Sequence, residues 1–362
     1  MIIIVQKILM EKKELNNKFI SFLDQVKDEE HKSVTRLNDR VLIVDGLNTF
    51  IRSFSVNPAI NDDGLHIGGL IGFLKSLRYT CDILKPSRCI IVFDGKNGSG
   101  RRQKIYPEYK ATRKVKKRLN RNVDWGTAPQ DEEQSMIQQM GRLVEYLEQL
   151  PLTLVCVDGI EADDTMAYIS QQLLPESDII LMSTDKDFLQ LVDDRVKVWS
   201  PTKKKLYNKQ SVLEEYGIPS RNILTYRILD GDKSDNINGV QGAGLKSLIK
   251  YIPLMTEDED FTAKDLLEFV KNTDSKIKLL ENIKKSSNII KRNYLLMQLQ
   301  KVDIPKHTMR KIQGAVNGEV PQLIKYRFQT MFLKDKLSTS IPNLDSWLME
   351  FTRLDRFRGL NG

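Results

Sequence analysis

The sequence predicts an α/β fold: a mostly parallel central sheet flanked by helices, followed by a helical C-terminal domain. Two observations carry this. Four β-branched runs, VLIVDG (41–46), CIIVFDG (89–95), LTLVCVDGIEADD (152–164) and DIILMSTDKD (178–187), are separated by helical stretches. Unbroken apolar runs of this length read as parallel strands buried on both faces. From Tyr226 onward the strand pattern stops and helical spacing takes over.

In chain order, residues 1–38 are Lys/Glu-rich with spaced apolar positions, which reads as an N-terminal helical extension, with Met10 as an alternative start. Residues 39–225 form the α/β domain. Between its second strand and the next helix lies a long polar segment, 96–133; an insertion of that length inside a compact domain is usually functional or disordered. The segment WSPTKKKLYN (199–208) reads as a turn with a basic tip. Residues 226–362 form the helical domain, with a glycine-rich hairpin at 232–251.

Composition narrows the function. The 362 residues are 40% hydrophobic and 29% charged, ordinary for a globular chain with a sizeable core. Lys and Arg total 56 against 48 acids, a formal charge of +8 that favours a polyanionic partner, with a membrane surface as the competing reading. No apolar run approaches the ~20 residues of a bilayer span. The start, MIIIVQKILM, lacks the basic region and cleavage site of a signal peptide. Cys81, Cys89 and Cys156 are few and unclustered, as are His31, His66 and His307. That argues against disulfides, zinc chemistry and Ser/His or Cys/His hydrolysis, and for the cytoplasm.

The acids are the first candidates for chemistry. Ligands of open parallel sheets bind at the carboxyl ends of the strands, where Asp45, Asp94 and Asp185 fall. Glu161, Asp163 and Asp164 sit at or just inside a helix start, and Asp187 follows Asp185. Asp232 and Asp235 are i and i+3, so on a helix both share one face. Any one of these acids is explained as a turn, cap or helix-dipole residue. Together they gather more negative charge than a fold tolerates uncompensated, and hard divalent ions, magnesium or manganese, would relieve it.

Two basic or glycine-rich segments accompany them. Residues 101–121 hold ten Lys or Arg against one acid, Glu108. Arg101, Arg102, Lys104 and Lys114, interleaved with Tyr106 and Tyr109, suit a surface that follows phosphates while rings stack on bases. GVQGAGLKSL (239–248) places Gly239, Gly242 and Gly244 before Lys246, a helix-hairpin-helix pattern whose backbone N–H groups cradle duplex phosphate. It lacks the preceding strand and GKS/GKT ending of a P-loop, and NGSG (97–100) is no dinucleotide fingerprint.

Taken in order, VLIVDGLN, VFDG, YPEYKATRK, EADD, STDKDFLQL and GDKSDNINGVQGAGLKS resemble the 5′ nuclease superfamily, over roughly Val41 to Tyr251. That superfamily includes flap endonucleases, the 5′ nuclease domain of bacterial DNA polymerase I, and phage exonucleases such as the RNase H of T-even phages. The end of the chain, YRFQTMFLKDKLSTSIPNLDSWLMEF, looks most like the last of these. The resemblance implies the 5′ nuclease (PIN-like) fold, with 96–133 as a helical arch that passes single-stranded 5′ ends. Asp45, Asp94, Glu161, Asp163, Asp164, Asp185 and Asp187 would hold or surround metals, and Asp232 and Asp235 would complete a second site. Lys110 and Arg113 would contact the scissile phosphate.

The resemblance further implies two Mg2+ ions (Mn2+ as substitute) and a monovalent cation at the helix-hairpin-helix. Its implied activity is hydrolysis at 5′ flaps, nicks and RNA primers. Implied partners are branched or nicked DNA and RNA–DNA hybrid, with single-stranded-DNA-binding protein and a sliding clamp through the C-terminal region; a monomer and a phage origin are also expected. Gln241, Ala243 and Ser247 depart from the family loop, and residues 1–38 have no counterpart in it. A PIN-type ribonuclease and a catalytically idle DNA-binding protein are the rival readings.

Overall fold

The computed structural model describes residues 34–114, 118–125 and 129–360. The expected extension at 1–38 therefore lies outside the described residues, apart from the Val34–Asn38 segment that leads into the first strand. Strands β1 (Arg40–Asp45), β2 (Arg88–Asp94), β3 (Thr153–Val157), β4 (Asp178–Met182), β5 (Val196–Ser200) and β6 (Lys205–Tyr207) form one sheet in the order β3-β2-β1-β4-β5-β6. The first five pair parallel, and β6 returns antiparallel at the edge. The predicted fold class is the observed one. The segment expected as a basic turn proves to be a hairpin that extends the sheet.

Alternation along the strands sends Val41, Ile43, Ile90 and Val92 to one face, and Leu42, Val44, Cys89 and Ile91 to the other. Helices α1 (Gly46–Val56) and α2 (Gly68–Leu84) cover the second face. The short α3 (Gly100–Ile105) follows β2, and α4 (Pro129–Leu147) joins α1 and α2 through Leu143, Tyr146 and Leu147. The first face receives α5 (Ala162–Tyr168), which runs on into a π-turn over Ile169–Leu173. Helix α6 (Lys209–Tyr216) follows the edge hairpin, and α7 (Ile223–Asp230), buried almost throughout, leads out of the sheet region.

The helical region continues as α8 (Leu245–Tyr251), α9 (Ala263–Asn272), α10 (Lys278–Lys285), α11 (Ser287–Met297) and α12 (Lys306–Asn317), whose apolar residues share the core of the first face. The 226–362 region stays helical to Asp355, but its last two helices pack elsewhere. Helices α13 (Lys325–Lys334) and α14 (Leu344–Asp355) cross to the opposite face and pack Phe328, Phe332, Trp347 and Phe351 among the residues of α2 and α4. Tyr146 meets Phe328 edge-on at 4.9 Å between ring centres, and Arg142 and Tyr146 both bond Asp335. Burial of aromatic side chains, each removing a large apolar area from water, drives this return.

The 96–133 segment is also less extended than its polarity suggests. Asn120 is fully buried and donates to the Phe54 carbonyl, Glu132 accepts from the Leu119 and Asn120 amides, and Trp125 stacks on Phe54 at 5.8 Å. The C-terminal foot of the segment is thus pinned to the α/β domain. Lys116 and Lys117, counted in its basic run, lie outside the described residues, as does the side chain of Lys114.

Candidate active site

The sheet has its switch point between β1 and β4, because β1 connects outward to β2 while β4 and β5 extend the other side. The crevice there lies between the carboxyl ends of neighbouring strands. Asp45 closes β1, Asp94 closes β2, and Asp185 follows β4. Asp45 caps α1, its Oδ1 accepting from the Asn48 amide at 3.0 Å, while Oδ2 accepts from the Ser183 hydroxyl at 3.1 Å. Asp185 caps the following 3-10 turn through the Asp187 amide at 2.8 Å. Both acids are therefore helix or turn caps that also stand at the carboxyl edge of the sheet. Asp94 accepts from the Ala162 amide at 2.8 Å, docking β2 onto the start of α5; Glu161 precedes that helix and Asp163 and Asp164 occupy its first turn.

The structure divides the nine acids by what they touch. Asp45, Asp94, Asp163 and Asp185 have no ion-pair partner among the described residues. The other five do. Arg102 donates to both oxygens of Asp164, at 2.7 and 2.9 Å, and also to Glu161. Lys110 donates to Glu161, and Arg113 to Asp235. Arg227 takes Asp187 at 2.6 Å and Asp232 at 2.7 Å.

With these pairs closed, no three acidic, His or Cys side chains among the described residues are spaced to seat an ion as they stand. The donor chemistry nevertheless fits hard divalent ions, because the uncompensated set consists only of carboxylate oxygens. Burial, with Asp94 beside it, pushes Asp45 up to about 6. Burial and then Asp187 push Asp185 up to about 7. Asp163 is raised well above its ordinary value by burial and then by Asp185 and Asp45. A nearby positive charge would oppose each of these shifts.

Around Glu161 the balance reverses. Burial works against its charge, but Arg102 and Lys110 outweigh it and hold the carboxyl below the usual range. Asp232 is likewise opposed by burial and lowered by Ser234 and Arg227. Lys110 has a left-handed backbone, φ 57°, with its amide on the Asp235 carbonyl at 2.9 Å. A non-glycine residue held in that region stores strain, a pattern that clusters at functional sites.

Several expectations are corrected here. Asp232 and Asp235 do not share a helix face: Gly231–Asp232 and Ile237–Asn238 are the legs of a tight β-turn, with Asn236 at φ 60°. Gly231 (φ 77°) and Gly239 make the turn possible, since a Cβ on either would lie 2.5 Å or closer to backbone of the opposite leg or of α7.

Arg102, expected on a nucleic-acid surface, is 8% exposed and is the internal counter-ion of Asp164 and Glu161; Asp164 is correspondingly tied to it rather than open to an ion. Tyr109 is buried, its hydroxyl on Glu161 and Asp235 at 3.2 Å, so it cannot stack on a base. Tyr106 is covered by the Arg292 guanidinium, 4.2 Å from the ring centre. Arg101 pairs with Asp303, and Lys104 remains exposed.

In the hairpin, Gly242 takes φ 84°, Gly244 precedes α8 and Lys246 is exposed. Sequence reasoning gave no role to Asn48, Ser183, Thr184 or Arg227. The last carried a signal: it is the lone cation of a mostly apolar, buried helical stretch, ILTYRILD.

A parallel sheet with acids massed at its switch point, roofed by cations and joined to a glycine hairpin between helices, defines the 5′ nuclease class of fold. The profile of the 5′-3′ exonuclease N-terminal, resolvase-like domain matches residues 40–217. The 5′-3′ exonuclease of Bacillus subtilis is 30% identical over 224 residues, 59% of this chain and 70% of the relative. The 5′-3′ exonuclease of Aquifex aeolicus is 29% identical over 212 residues, 58% of this chain and 68% of the relative. Among solved structures, the bacteriophage T5 flap endonuclease in complex with DNA and metal ions shares the fold at 21% identity. It has a TM-score of 0.58 and covers 82% of this chain and 99% of that one. The chain belongs to the family of 5′-3′ exonucleases.

The raised carboxyls make a prediction about stability. Asp45 and Asp185 hold their protons up to about 6 and 7 in the folded chain, against an ordinary value of 3.8. The folded state then binds more protons than the unfolded one between about pH 4 and 7, so stability in EDTA falls as pH rises across that window, by a few kcal/mol in all, roughly. Thermal melts in EDTA and in Mg2+ at pH 5 and pH 8 are expected to show a larger Mg2+ gain at pH 8. An equal gain at both would mean these carboxyls do not meet the ion.

Proposed function

We propose that this chain hydrolyses phosphodiester bonds at 5′ flaps, nicks and RNA primers annealed to DNA, using divalent metal ions, with magnesium as the natural one. The observation that carries the reading is the adjacency of an under-compensated carboxylate pocket, Asp45, Asp94, Asp163 and Asp185, to Lys110 and Arg113. Bound divalent ions would supply a nucleophilic hydroxide near neutral pH and stabilise charge on the attacking and leaving oxygens. The chain's own groups do the rest. Asp45, Asp94, Asp163 and Asp185, with Asp187, Asp232 and Asp235 from the other side, hold the ions.

In this reading Lys110 and Arg113 exchange their bonds to Glu161 and Asp235 for the scissile phosphate, and steady the charge that builds on it. Tyr109 keeps Glu161 and Asp235 in place when those cations leave. The glycine hairpin with Lys246 holds the duplex backbone, a contact that weakens with salt, and 96–133 handles the single strand. The T5 flap endonuclease, solved in complex with DNA and metal ions, and the 5′-3′ exonucleases of Bacillus subtilis and Aquifex aeolicus support the same reading. Single-stranded-DNA-binding protein and a sliding clamp remain the proposed protein partners.

The test is a Mg2+ titration against end-labelled 5′-flap DNA and an RNA–DNA hybrid. Cleavage of the flap near its junction, absent in EDTA, is expected. Metal-dependent cutting of single-stranded RNA alone would favour a PIN-type ribonuclease, and binding without cutting an idle DNA-binding protein.

A further inference from the structure

We infer that Arg227 is a positioning residue for this reaction: its guanidinium fixes Asp187 at the sheet edge against Asp232 in the hairpin, so that their remaining oxygens meet a divalent ion already spaced. The inference rests on the nuclease reading above and adds to it a residue that touches neither ion nor DNA. Arg227 is 4% exposed in α7, where every residue from Ile223 to Leu229 is buried. Its Nε donates to Asp187 Oδ1 at 2.6 Å, Nη2 to Asp232 Oδ2 at 2.7 Å, and Nη1 to the Gly231 carbonyl at 3.1 Å. The three donors thus tie Asp187, which follows β4, to Asp232, which follows α7, while Nη1 also lies 3.5 Å from Asp230 Oδ2. The Gly231 turn is what brings Asp232 back to an arginine five residues earlier.

A purely stabilising role explains this poorly. Burying an ion pair rarely gains stability over apolar packing of similar volume. One guanidinium also leaves the group in deficit, since Asp187, Asp230 and Asp232 all lie within ion-pair distance of it. What the arginine does supply is geometry. Asp187 Oδ2 is left without a hydrogen bond among the described residues, while Asp232 Oδ1 is oriented by the Ser234 amide and hydroxyl at 2.7 and 2.6 Å. Only a planar fork can hold two carboxylates from different directions and a carbonyl together; an ammonium group on a flexible stem cannot fix their separation. Groups that orient ligands from behind typically change metal affinity or activity 10–100-fold, roughly, when removed.

The experiment compares the full chain with Arg227→Lys, which keeps the charge and loses the fork, and with Arg227→Met. Mn2+ binding without DNA is measured by calorimetry, thermal melts are recorded, and kcat and KM are determined on a 5′-flap substrate. Arg227→Lys is expected to melt near wild type. It should bind Mn2+ about tenfold less tightly and lose about tenfold in kcat, with KM for the flap little changed. Arg227→Met is expected to show losses at least as large.

A lysine variant equal to wild type in Mn2+ affinity and kcat would overturn the inference, because charge alone would then suffice. If the methionine variant does not fold, the lysine variant decides. A wild-type chain that binds no Mn2+ would overturn both this inference and the nuclease reading, whereas wild-type cleavage matched by Arg227→Lys would overturn this one alone.

Discussion

Asp185→Asn is expected to reduce Mg2+-dependent flap cleavage by roughly a thousandfold or more, about 4 kcal/mol of transition-state stabilisation. The amide keeps the cap on the Asp187 backbone N–H, so the 3-10 turn over Lys186–Leu191 survives. What it removes is one of four carboxylates that have no ion-pair partner among the described residues. Single-turnover cleavage on a labelled flap measures the loss, and a binding assay in EDTA is expected to show duplex affinity within a few-fold of wild type, because Asp185 lies apart from the hairpin that would hold the duplex. The same variant should melt higher than wild type in EDTA above pH 7, since burial and Asp187 already oppose the charge there. Near-normal cleavage would remove Asp185 from the metal site and sink the assignment.

Arg102→Ala is expected to have the largest effect on stability, about 3–5 kcal/mol of destabilisation, as removal of one partner from a buried ion pair usually does. The guanidinium is the only described cation on Asp164 and one of two on Glu161, and its Nε also satisfies the Leu296 carbonyl at 2.7 Å. Its loss would leave Asp164 charged inside the protein and would also remove the hydrogen bond that links α3 to α11. Urea denaturation in EDTA measures this. The double variant Arg102→Met with Asp164→Leu should recover much of the loss, because neither charge then remains unpaired. A single variant as stable as wild type would mean that Asp164 finds water or another partner, and that Arg102 is not the internal counter-ion it resembles.

Strands were the most legible part of the fold. The runs at 41–46, 89–95, 152–164 and 178–187 are apolar without alternation, and only a sheet covered on both faces buries such runs. The β5–β6 hairpin was legible only as a turn, because its strands are five and three residues long and Lys197 interrupts the apolar pattern. The return of α13 and α14 could not be read from spacing, which shows that a helix has an apolar face and not which core will receive it. The helical reading of Asp232 and Asp235 failed for a local reason. Gly231 and Asn236 adopt positive φ and fold the segment into a hairpin, and the glycine directly after Asp230 was the visible warning.

The sequence by itself determined which residues carry charge, which strands end in acids, and that these acids outnumber what a pocket can hold without a cation. Those are properties of residue type and of position along a strand, and they survive any packing. Only the tertiary structure decided which acids stay uncompensated. Arg102 finds Asp164 across 62 residues, and Arg227 finds Asp187 across 40, so the partition of nine acids into four open and five paired is written in contacts rather than in spacing. Electrostatic pairing is short-ranged and steeply dependent on burial; until the chain closes, every arginine is an equal candidate for every aspartate. The fold makes the choice, leaving Asp45, Asp94, Asp163 and Asp185 open at the switch point of the sheet and tying their neighbours behind them.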